Sequence, residues 1–266
     1  MPHARHSTRV DRGLRNQLNI GQRVGARSPV PTLSHPALHG NPFAGAVVRL
    51  APVPTLLLVR HAQGSFGGAD YDVLSERGHE QAHLLAAELD RRGVRLNRLV
   101  SGSLARQRDT AAAITAAQEL APVIDARWDE YDSGTVVARH AASAAAPETT
   151  REFQAVLDAA LLAWLAGGAG EGSWPAFRDR VAAALGELVE SLGPGQTALV
   201  CTSGGPLAAV CVALLGLPDQ ALVPFNRVLV NASLTKVVSG RSGATLVSFN
   251  EHGYLEGTGS ALVTYR

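Results

Sequence analysis

An arginine–histidine pair is the first feature of this sequence that could carry chemistry. Arg60 and His61 directly follow the continuous apolar run Thr55–Val59. An imidazole at a strand end can serve as a metal ligand, a general base or a nucleophile. The adjacent guanidinium repels a metal cation, whereas its planar fork suits the bidentate binding of phosphoryl oxygens. The pair therefore favours a phosphate ligand over a metal ion.

Two further segments add groups that attract anions. Arg106 opens the helix that follows a second short apolar run and supplies another guanidinium. Ser203, Gly204 and Gly205 begin a later helix, whose free N–H groups and dipole form an anion site. Two arginines, a helix N-terminus and one imidazole together predict a phosphoryl pocket that contains a nucleophile.

The elements that must position these groups alternate between strands and helices. Short buried runs and a terminal hairpin predict strands at residues 55–59, 99–100, 123–124, 197–201, 229–238 and 244–249. Capping residues and apolar stripes predict helices at about residues 75–92, 104–120, 149–166, 174–192 and 203–216. Residues 131–148 are low in complexity and are expected to be irregular.

This alternation predicts an α/β fold, namely a three-layer α/β/α sandwich with a mostly parallel central sheet. In open sheets of this kind, ligands bind beyond the carboxyl ends of the strands. The polar groups at residues 60–61, 101–106 and 202–205 all follow predicted strands. We therefore expect the fold to bring these three clusters together.

Charge and hydropathy narrow the class of protein. The chain has 266 residues, and residues 1–50 hold seven arginines and one acid, which leaves 17 of the 24 basic and 22 of the 23 acidic residues in the remainder. A net-acidic domain gives no support to nucleic-acid binding. No run of 18 apolar residues occurs, so the sequence predicts no membrane span.

Composition also suggests a domain boundary. Residues 1–53 lack a sustained hydrophobic period and are expected to be a disordered or non-native extension, whereas residues 54–266 form the α/β domain. Cys201 and Cys211 lie inside apolar runs, which indicates reduced core residues and a cytoplasmic protein. The sequence leaves the oligomeric state open.

Six segments in order resemble the histidine phosphatase superfamily, the phosphoglycerate-mutase-like proteins. The resemblance covers about residues 55–256. It rests on residues 57–61 (LLVRH), 74–82 (LSERGHEQA), 101–111 (SGSLARQRDTA), 127–134 (RWDEYDSG), 198–205 (ALVCTSGG) and 249–256 (FNEHGYLE).

The resemblance implies a phosphomonoester hydrolase that acts on a small phosphorylated substrate. His61 would attack phosphorus and form a phosphohistidine, Arg60 and Arg106 would bind the phosphoryl oxygens, and Glu130 would protonate the leaving alcohol. Ser203 and Gly204 would add phosphate contacts. No metal or other cofactor is implied. The loops at residues 64–72 and 131–148, with Gln63 and Ser65, would line the substrate mouth.

The sequence departs from the family pattern at three positions. Ala62 replaces a glycine, Gln107 replaces an alanine, and Ser203 stands where the family has its second histidine. A serine hydroxyl donates one hydrogen bond but carries no charge, so transition-state stabilisation would fall by a few kcal/mol. The alternative is therefore a catalytically weak or inactive phospho-ligand-binding protein of the same fold.

Other chemical patterns give competing predictions. His79, Glu80 and His83 match the H-E-x-x-H pattern of zinc metalloproteases. Cys201–Gly205 resembles a nucleophile elbow, with Asp219 and His252 following in the order of an α/β-hydrolase, which would make Ser203 the nucleophile of an esterase. Asp129 and Asp132 compete with Glu130 for the role of the acid, although each is expected to be a solvated loop carboxylate.

Overall fold

A computed structural model describes residues 52–65, 72–140, 149–257 and 260–265 of the chain. Its strands are β1 (Thr55–Arg60), β2 (Arg98–Ser101), β3 (Val123–Ile124), β4 (Thr197–Thr202), β5 (Leu234–Gly240) and β6 (Gly243–Glu251). Its helices are α1 (Glu76–Arg91), α2 (Ala105–Gln118), α3 (Ser133–His140), α4 (Thr150–Leu165), α5 (Trp174–Glu190), α6 (Gly204–Leu214), α7 (Leu222–Val228) and α8 (Gly253–Glu256).

The described strands form one sheet in the order β3-β2-β4-β1-β5-β6. The first four strands in this order are parallel, and β5 and β6 pair in the antiparallel sense. The prediction of an α/β sandwich with a mostly parallel sheet is confirmed. Because β4 lies between β1 and β2, Arg60 pairs with Thr202 and Ser101 pairs with Cys201. The three polar clusters of the sequence therefore lie side by side at one edge of the sheet.

Helices cover both faces of the sheet because β1 is apolar on both sides. Leu57 and Val59 pack against α1 and α2, whereas Leu56 and Leu58 face the core formed with α4, α5 and α6. All four side chains are buried. A strand buried on both faces reads as a continuous apolar run, which is why the sequence pattern located it.

The capping of the helix ends determines which backbone N–H groups can bind other partners. The Ser75 side chain accepts a hydrogen bond from Gly78 N–H and thereby caps α1. Helix α6 begins at Gly204, and the preceding Ser203 forms no side-chain capping hydrogen bond, so the first N–H groups of the helix are open to other partners. It ends before Gly216, whose φ of +62° is in the left-handed region that favours glycine.

Two segments differ from the sequence prediction. Residues 133–140 form α3 although this region was expected to be irregular; the Asp132 carboxylate accepts hydrogen bonds from Thr135 and begins the helix. The strand expected from residue 229 begins only at Leu234, and α7 precedes it. Ala232 has a φ of +62°, which an extended strand cannot contain.

The predictions on membrane spans, cysteines and the N-terminal extension can be compared with the structure only for the residues that it describes. No helix there is long and apolar enough to cross a membrane. Cys201 and Cys211 are both buried free thiols. The extension predicted for residues 1–53 lies outside the described residues up to residue 51, as do residues 66–71 and 141–148 of the two substrate-mouth loops.

Candidate active site

A cavity of about 1120 Å³ opens at the carboxyl edge of the parallel strands. Arg60, His61, Arg106 and Glu130 all line it. Its remaining described walls come from the start of α2, from the residues that lead into α3, from α4, from α7 and from the C-terminal segment: Leu104, Tyr131, Asp132, Ser133, Arg151, Phe153, Gln154, Ala155, Leu157, Asp158, Asn226, Arg227 and Tyr265. The fold thus brings together four of the side chains that the sequence selected.

The backbone of His61 is fixed from two sides. Its N–H donates to Thr202 O at 2.7 Å in β4, and its carbonyl accepts from Asn231 Nδ2 at 3.1 Å. The ring Nδ1 lies 2.7 Å from Ala62 O. A carbonyl oxygen can only accept, so Nδ1 carries the proton and Nε2 presents its lone pair to the cavity. This is the tautomer that a nucleophilic imidazole requires.

The surroundings of His61 keep it neutral. Burial, together with the positive charges of Arg106 and Arg60, lowers the pKa of His61 well below its usual value of 6.5. Arg106 Nε donates to His61 Nε2 at 3.2 Å, so the guanidinium holds the lone pair in place. A buried imidazole between two arginines remains unprotonated, and hence nucleophilic, at neutral pH.

Arg106 is oriented by an acidic side chain that sequence reasoning missed. Asp72 Oδ1 accepts from Arg106 Nη1 at 2.7 Å, and Asp72 Oδ2 accepts from Ala105 N–H at 2.8 Å. One carboxylate therefore caps the start of α2 and orients the guanidinium that follows. Asp72 lies far from Arg106 in the sequence and matches no motif, so only the fold reveals the pair.

Arg60 is anchored by the backbone that precedes β5. Its N–H donates to Ser233 O, and its Nη1 donates to Leu229 O in the segment that precedes β5. The side chain is buried, with only 8% of its surface exposed. The irregular backbone at residues 229–233, which replaces the predicted strand, therefore supports the first guanidinium of the site.

Glu130 is held by the uncapped start of α6. Gly205 N–H donates to both of its carboxyl oxygens, at 3.0 and 3.2 Å. Burial of the carboxyl group raises the pKa of Glu130, although the Gly205 hydrogen bond and the two arginines oppose this shift. A raised pKa favours the protonated form of the carboxyl group, which is the form that can donate a proton.

The segment around Glu130 is packed rigidly. The next residue, Tyr131, contacts the rings of Trp164 and Phe177 at centroid distances of 5.2 and 5.9 Å. Arg180 donates to the carbonyls of Ala126 and Asp129 at 2.8 and 2.7 Å. The acid therefore stands on a backbone that is fixed on both sides.

The remaining sequence candidates lie beside the cavity rather than on its wall. Ser203 is fully buried, and its Oγ accepts from Gln107 Nε2 at 2.9 Å. Gly204 begins α6. The Gln63 side chain accepts from Ser75 Oγ at 3.0 Å and so faces α1, and Ser65 pairs with Val73 through its backbone.

The competing acids have structural partners. Asp129 accepts from Ser103 N–H at 2.6 Å and from its hydroxyl, which ties two turns of the site together. It is thus not the solvated carboxylate that was expected. Asp132 is exposed on the cavity rim and caps α3 through Thr135.

The two competing catalytic patterns are not assembled. His79, Glu80 and His83 lie exposed on α1, and within the described chain no group of three His, Cys, Asp or Glu residues could hold a metal ion.

The esterase residues are held apart by other partners. Ser203 accepts from Gln107, as described above. Asp219 accepts from Trp174 Nε1 at 2.6 Å, whereas His252 contacts Asn250 O at 2.6 Å and Glu256 at 3.4 Å. The proposed hydrolase triad is therefore not formed.

The sequence of the chain matches one family. Residues 56–252 match the sequence model of the histidine phosphatase superfamily (branch 1). No curated protein matches the chain in sequence at a significant level.

Solved structures give a consistent comparison. A mycobacterial glucosyl-3-phosphoglycerate phosphatase in complex with VO3 is 28% identical, with a TM-score of 0.56 over 74% of this chain and 99% of that one. A mycobacterial hydrolase is 26% identical, with a TM-score of 0.57 over 76% and 99%. A phosphoglycerate mutase from Bacillus anthracis, 23% identical with a TM-score of 0.54 over 77% and 96%, shares the fold.

Proposed function

The chain belongs to the histidine phosphatase superfamily, and from this premise we propose that it hydrolyses phosphomonoesters through a phosphohistidine on His61. The observation that carries the proposal is the neutral His61 imidazole, whose Nε2 faces Arg106 Nε at 3.2 Å in a cavity that Glu130 shares. The nucleophile, the cation and the acid all line one cavity. Relatives of the chain are phosphatases or mutases, which is the class of chemistry that these groups suit.

Binding of the phosphoryl group is the first step. Arg60 and Arg106 would hold its oxygens and neutralise their charge, as paired guanidinium forks do. The positive end of α6, which begins at Gly204 beside the cavity, adds a longer-range attraction for the anion. A phosphoryl oxygen would take over the Arg106 Nε donor, which releases the lone pair of His61 Nε2 for attack. This step calls for no metal ion or other cofactor.

Phosphoryl transfer then follows in two stages. His61 Nε2 attacks phosphorus in line, the bond from phosphorus to the ester oxygen breaks, and Glu130 gives its proton to the departing alcohol. In the second stage, a water oxygen attacks the phosphorus of the phosphohistidine, the bond from phosphorus to His61 Nε2 breaks, and the Glu130 carboxylate accepts a proton from the water. Inorganic phosphate leaves, and both side chains return to their starting states.

Trapping of the phosphorylated enzyme tests the proposal. Wild-type protein incubated with a labelled phosphomonoester should carry acid-labile, base-stable phosphate on His61, and His61→Ala should carry none. His252→Ala is a matched control because that histidine lies outside the cavity, and it should be labelled like the wild type. Absence of label, together with equal hydrolysis rates for wild type and His61→Ala, would contradict the proposal.

A second candidate function follows from one observation. Ser203, at the position where the family has its second histidine, is fully buried and bound to Gln107 rather than placed on the cavity wall. The chain would then bind a phosphorylated ligand and turn it over weakly or not at all. Retention of phosphate binding without turnover would identify this case. A panel of phosphorylated metabolites should be screened by release of inorganic phosphate. The panel should include glucosyl-3-phosphoglycerate, because one structurally similar protein is a phosphatase of that compound.

A further inference from the structure

One buried amide joins the three segments that carry the site. Gln107, in the first turn of α2, accepts from Leu104 N–H through Oε1 at 3.3 Å. Its Nε2 donates to Trp128 O at 3.1 Å and to Ser203 Oγ at 2.9 Å. The three partners belong to the β2–α2 turn, the segment before Glu130 and the start of α6. A single side chain therefore connects parts of the chain that are distant in sequence.

Packing leaves the amide no alternative position. Gln107 is fully buried. A Cβ added at Gly102 would lie 2.0 Å from Gln107 Oε1, so the turn before α2 approaches the amide as closely as a glycine allows. A buried amide that makes three hydrogen bonds in a close-packed site has a defined orientation, because each lost bond would leave a polar group unsatisfied.

Each connected segment carries a group of the proposed reaction. Gln107 follows Arg106 directly, and Trp128 lies two residues before Glu130. Ser203 precedes the helix start whose Gly205 N–H holds the Glu130 carboxyl. The Gln107 amide therefore links the segment that carries the Arg106 guanidinium to the segments that carry and hold the Glu130 carboxyl.

The amide also sets the role of the Ser203 hydroxyl. An amide N–H can only donate, so Ser203 Oγ accepts from Gln107 and its own hydrogen remains to be donated elsewhere. Gln107 and Ser203 are two of the three positions at which the sequence departs from the pattern of the family. The structure places these two departures in contact with each other.

We propose that Gln107 is a positioning residue for phosphoryl transfer, which acts with Ser203 to hold the start of α6 against the segments of Arg106 and Glu130. The inference rests on the proposed function, but it concerns residues that do not line the cavity. A displacement of about 1 Å in a catalytic group costs on the order of 10²-fold in rate. Loss of the amide is therefore expected to lower kcat between about 10- and 100-fold.

Variants at both positions test the inference. Gln107→Met keeps the side-chain length but removes all three hydrogen bonds, Gln107→Glu keeps the acceptor for Leu104 N–H, and Ser203→Ala removes the other partner. Gln118→Met is the matched control: that glutamine also lies on α2 and binds backbone groups of Leu96 and Val94, away from the cavity. The measurements are kcat and KM for p-nitrophenyl phosphate and an alkyl phosphate, and the Kd of inorganic phosphate by calorimetry.

A positioning role predicts a specific pattern of results. Gln107→Met should lower kcat/KM more for the alkyl phosphate, whose leaving group needs the acid, than for p-nitrophenyl phosphate, and it should weaken phosphate binding several-fold. Gln107→Glu should retain part of the rate. The double variant Gln107→Met/Ser203→Ala should be no slower than Gln107→Met, because the two residues act as one unit. Gln118→Met should match the wild type in all of these measurements.

Other results would overturn the inference. One is a folded Gln107→Met with the kcat and phosphate Kd of the wild type. The other is a double variant whose loss in kcat equals the product of the losses caused by Gln107→Met and Ser203→Ala separately. Should Gln107→Met fail to fold by circular dichroism, Gln107→Glu and Ser203→Ala decide by the same criteria. A wild type that binds phosphate without turnover would refute the proposed hydrolysis alone, and the phosphate Kd would still test Gln107. A wild type without phosphate affinity would refute both.

Discussion

Substitution of Gly205 by alanine probes the placement of the proposed acid directly. A Cβ at this position would lie 2.1 Å from Glu130 Oε1 and 2.6 Å from the nearest ring carbon of Tyr131. Both contacts are shorter than 3.0 Å, so the Glu130 carboxyl has to move, and the Tyr131 ring or the start of α6 has to shift as well. To reach an ordinary contact of at least 3.4 Å, the Glu130 oxygen has to retreat by about 1.3 Å.

The size of the effect follows from this displacement. A misplacement of about 1 Å in a reacting group costs on the order of 10²-fold in rate, and general acid catalysis contributes about 10²- to 10⁴-fold in total. We therefore expect Gly205→Ala to lower kcat/KM for an alkyl phosphate by about 10²-fold, because this ratio reports the steps up to departure of the alcohol and not the later hydrolysis of the phosphohistidine. The effect on p-nitrophenyl phosphate should be much smaller, because p-nitrophenolate departs without a proton. Glu130→Gln should show the same contrast, and the double variant should resemble Glu130→Gln alone.

Steady-state kinetics with the two substrates, at matched protein concentration, measure this contrast. Gly186→Ala serves as the control, because it makes the same substitution within a helix where an added Cβ meets nothing within 4 Å. It should keep the activity of the wild type and gain up to about 1 kcal/mol of stability. Equal losses on both substrates for Gly205→Ala, or no loss on either, would refute the reasoning that Gly205 positions a proton donor.

Three further predictions concern titration and stability. The pKa of Glu130 is raised, so the protonated fraction of this acid grows as the pH falls from 7.5 to 5.5, whereas His61, whose pKa is lowered well below 6.5, stays neutral. The value of kcat/KM for an alkyl phosphate should therefore increase over this range. Glu130→Gln should remove the increase when both proteins are measured on the same ester. Gln81→Leu should lower the free energy of unfolding in urea by about 1–3 kcal/mol, because Gln63 N–H and Leu262 O lose their buried partner. Hydrogen bonds from Arg91 and Arg92 lower the pKa of Glu88 to about 2, so the stability difference between wild type and Glu88→Gln should be full at pH 7 and shrink as the pH falls from 4.5 towards 2; a difference independent of pH would contradict the ion pairs.

Local patterns in the sequence were sufficient for much of the fold. The continuous apolar run at Thr55–Val59, the Ser75 cap and the glycine at residue 216 each act within a few residues, so they located β1, α1 and the end of α6 without tertiary information. The predictions were wrong for segments whose backbone conformation depends on contacts with distant groups. Residues 229–233 leave the strand because they support Arg60 and His61, and α3 begins in a segment whose composition gives no helical period.

The chemical types of the site were also present in the sequence. Arg60, His61, Arg106 and Glu130 stand at the ends of predicted elements, and parallel strands with β4 in the centre bring such ends to one edge. Partners across the site were not predictable in this way. The hydrogen bonds that orient the site join segments that are distant in sequence. They link Asp72 to Arg106, Gly205 to Glu130 and Gln107 to Ser203, which are 34, 75 and 96 residues apart.

Residue types and strand ends are local properties of the chain, so the groups that could react were identifiable without coordinates. The protonation and orientation of those groups depend on the packing of distant segments. The lowered pKa of His61 and the raised pKa of Glu130 both arise from burial, and burial depends on which distant segments pack around each side chain.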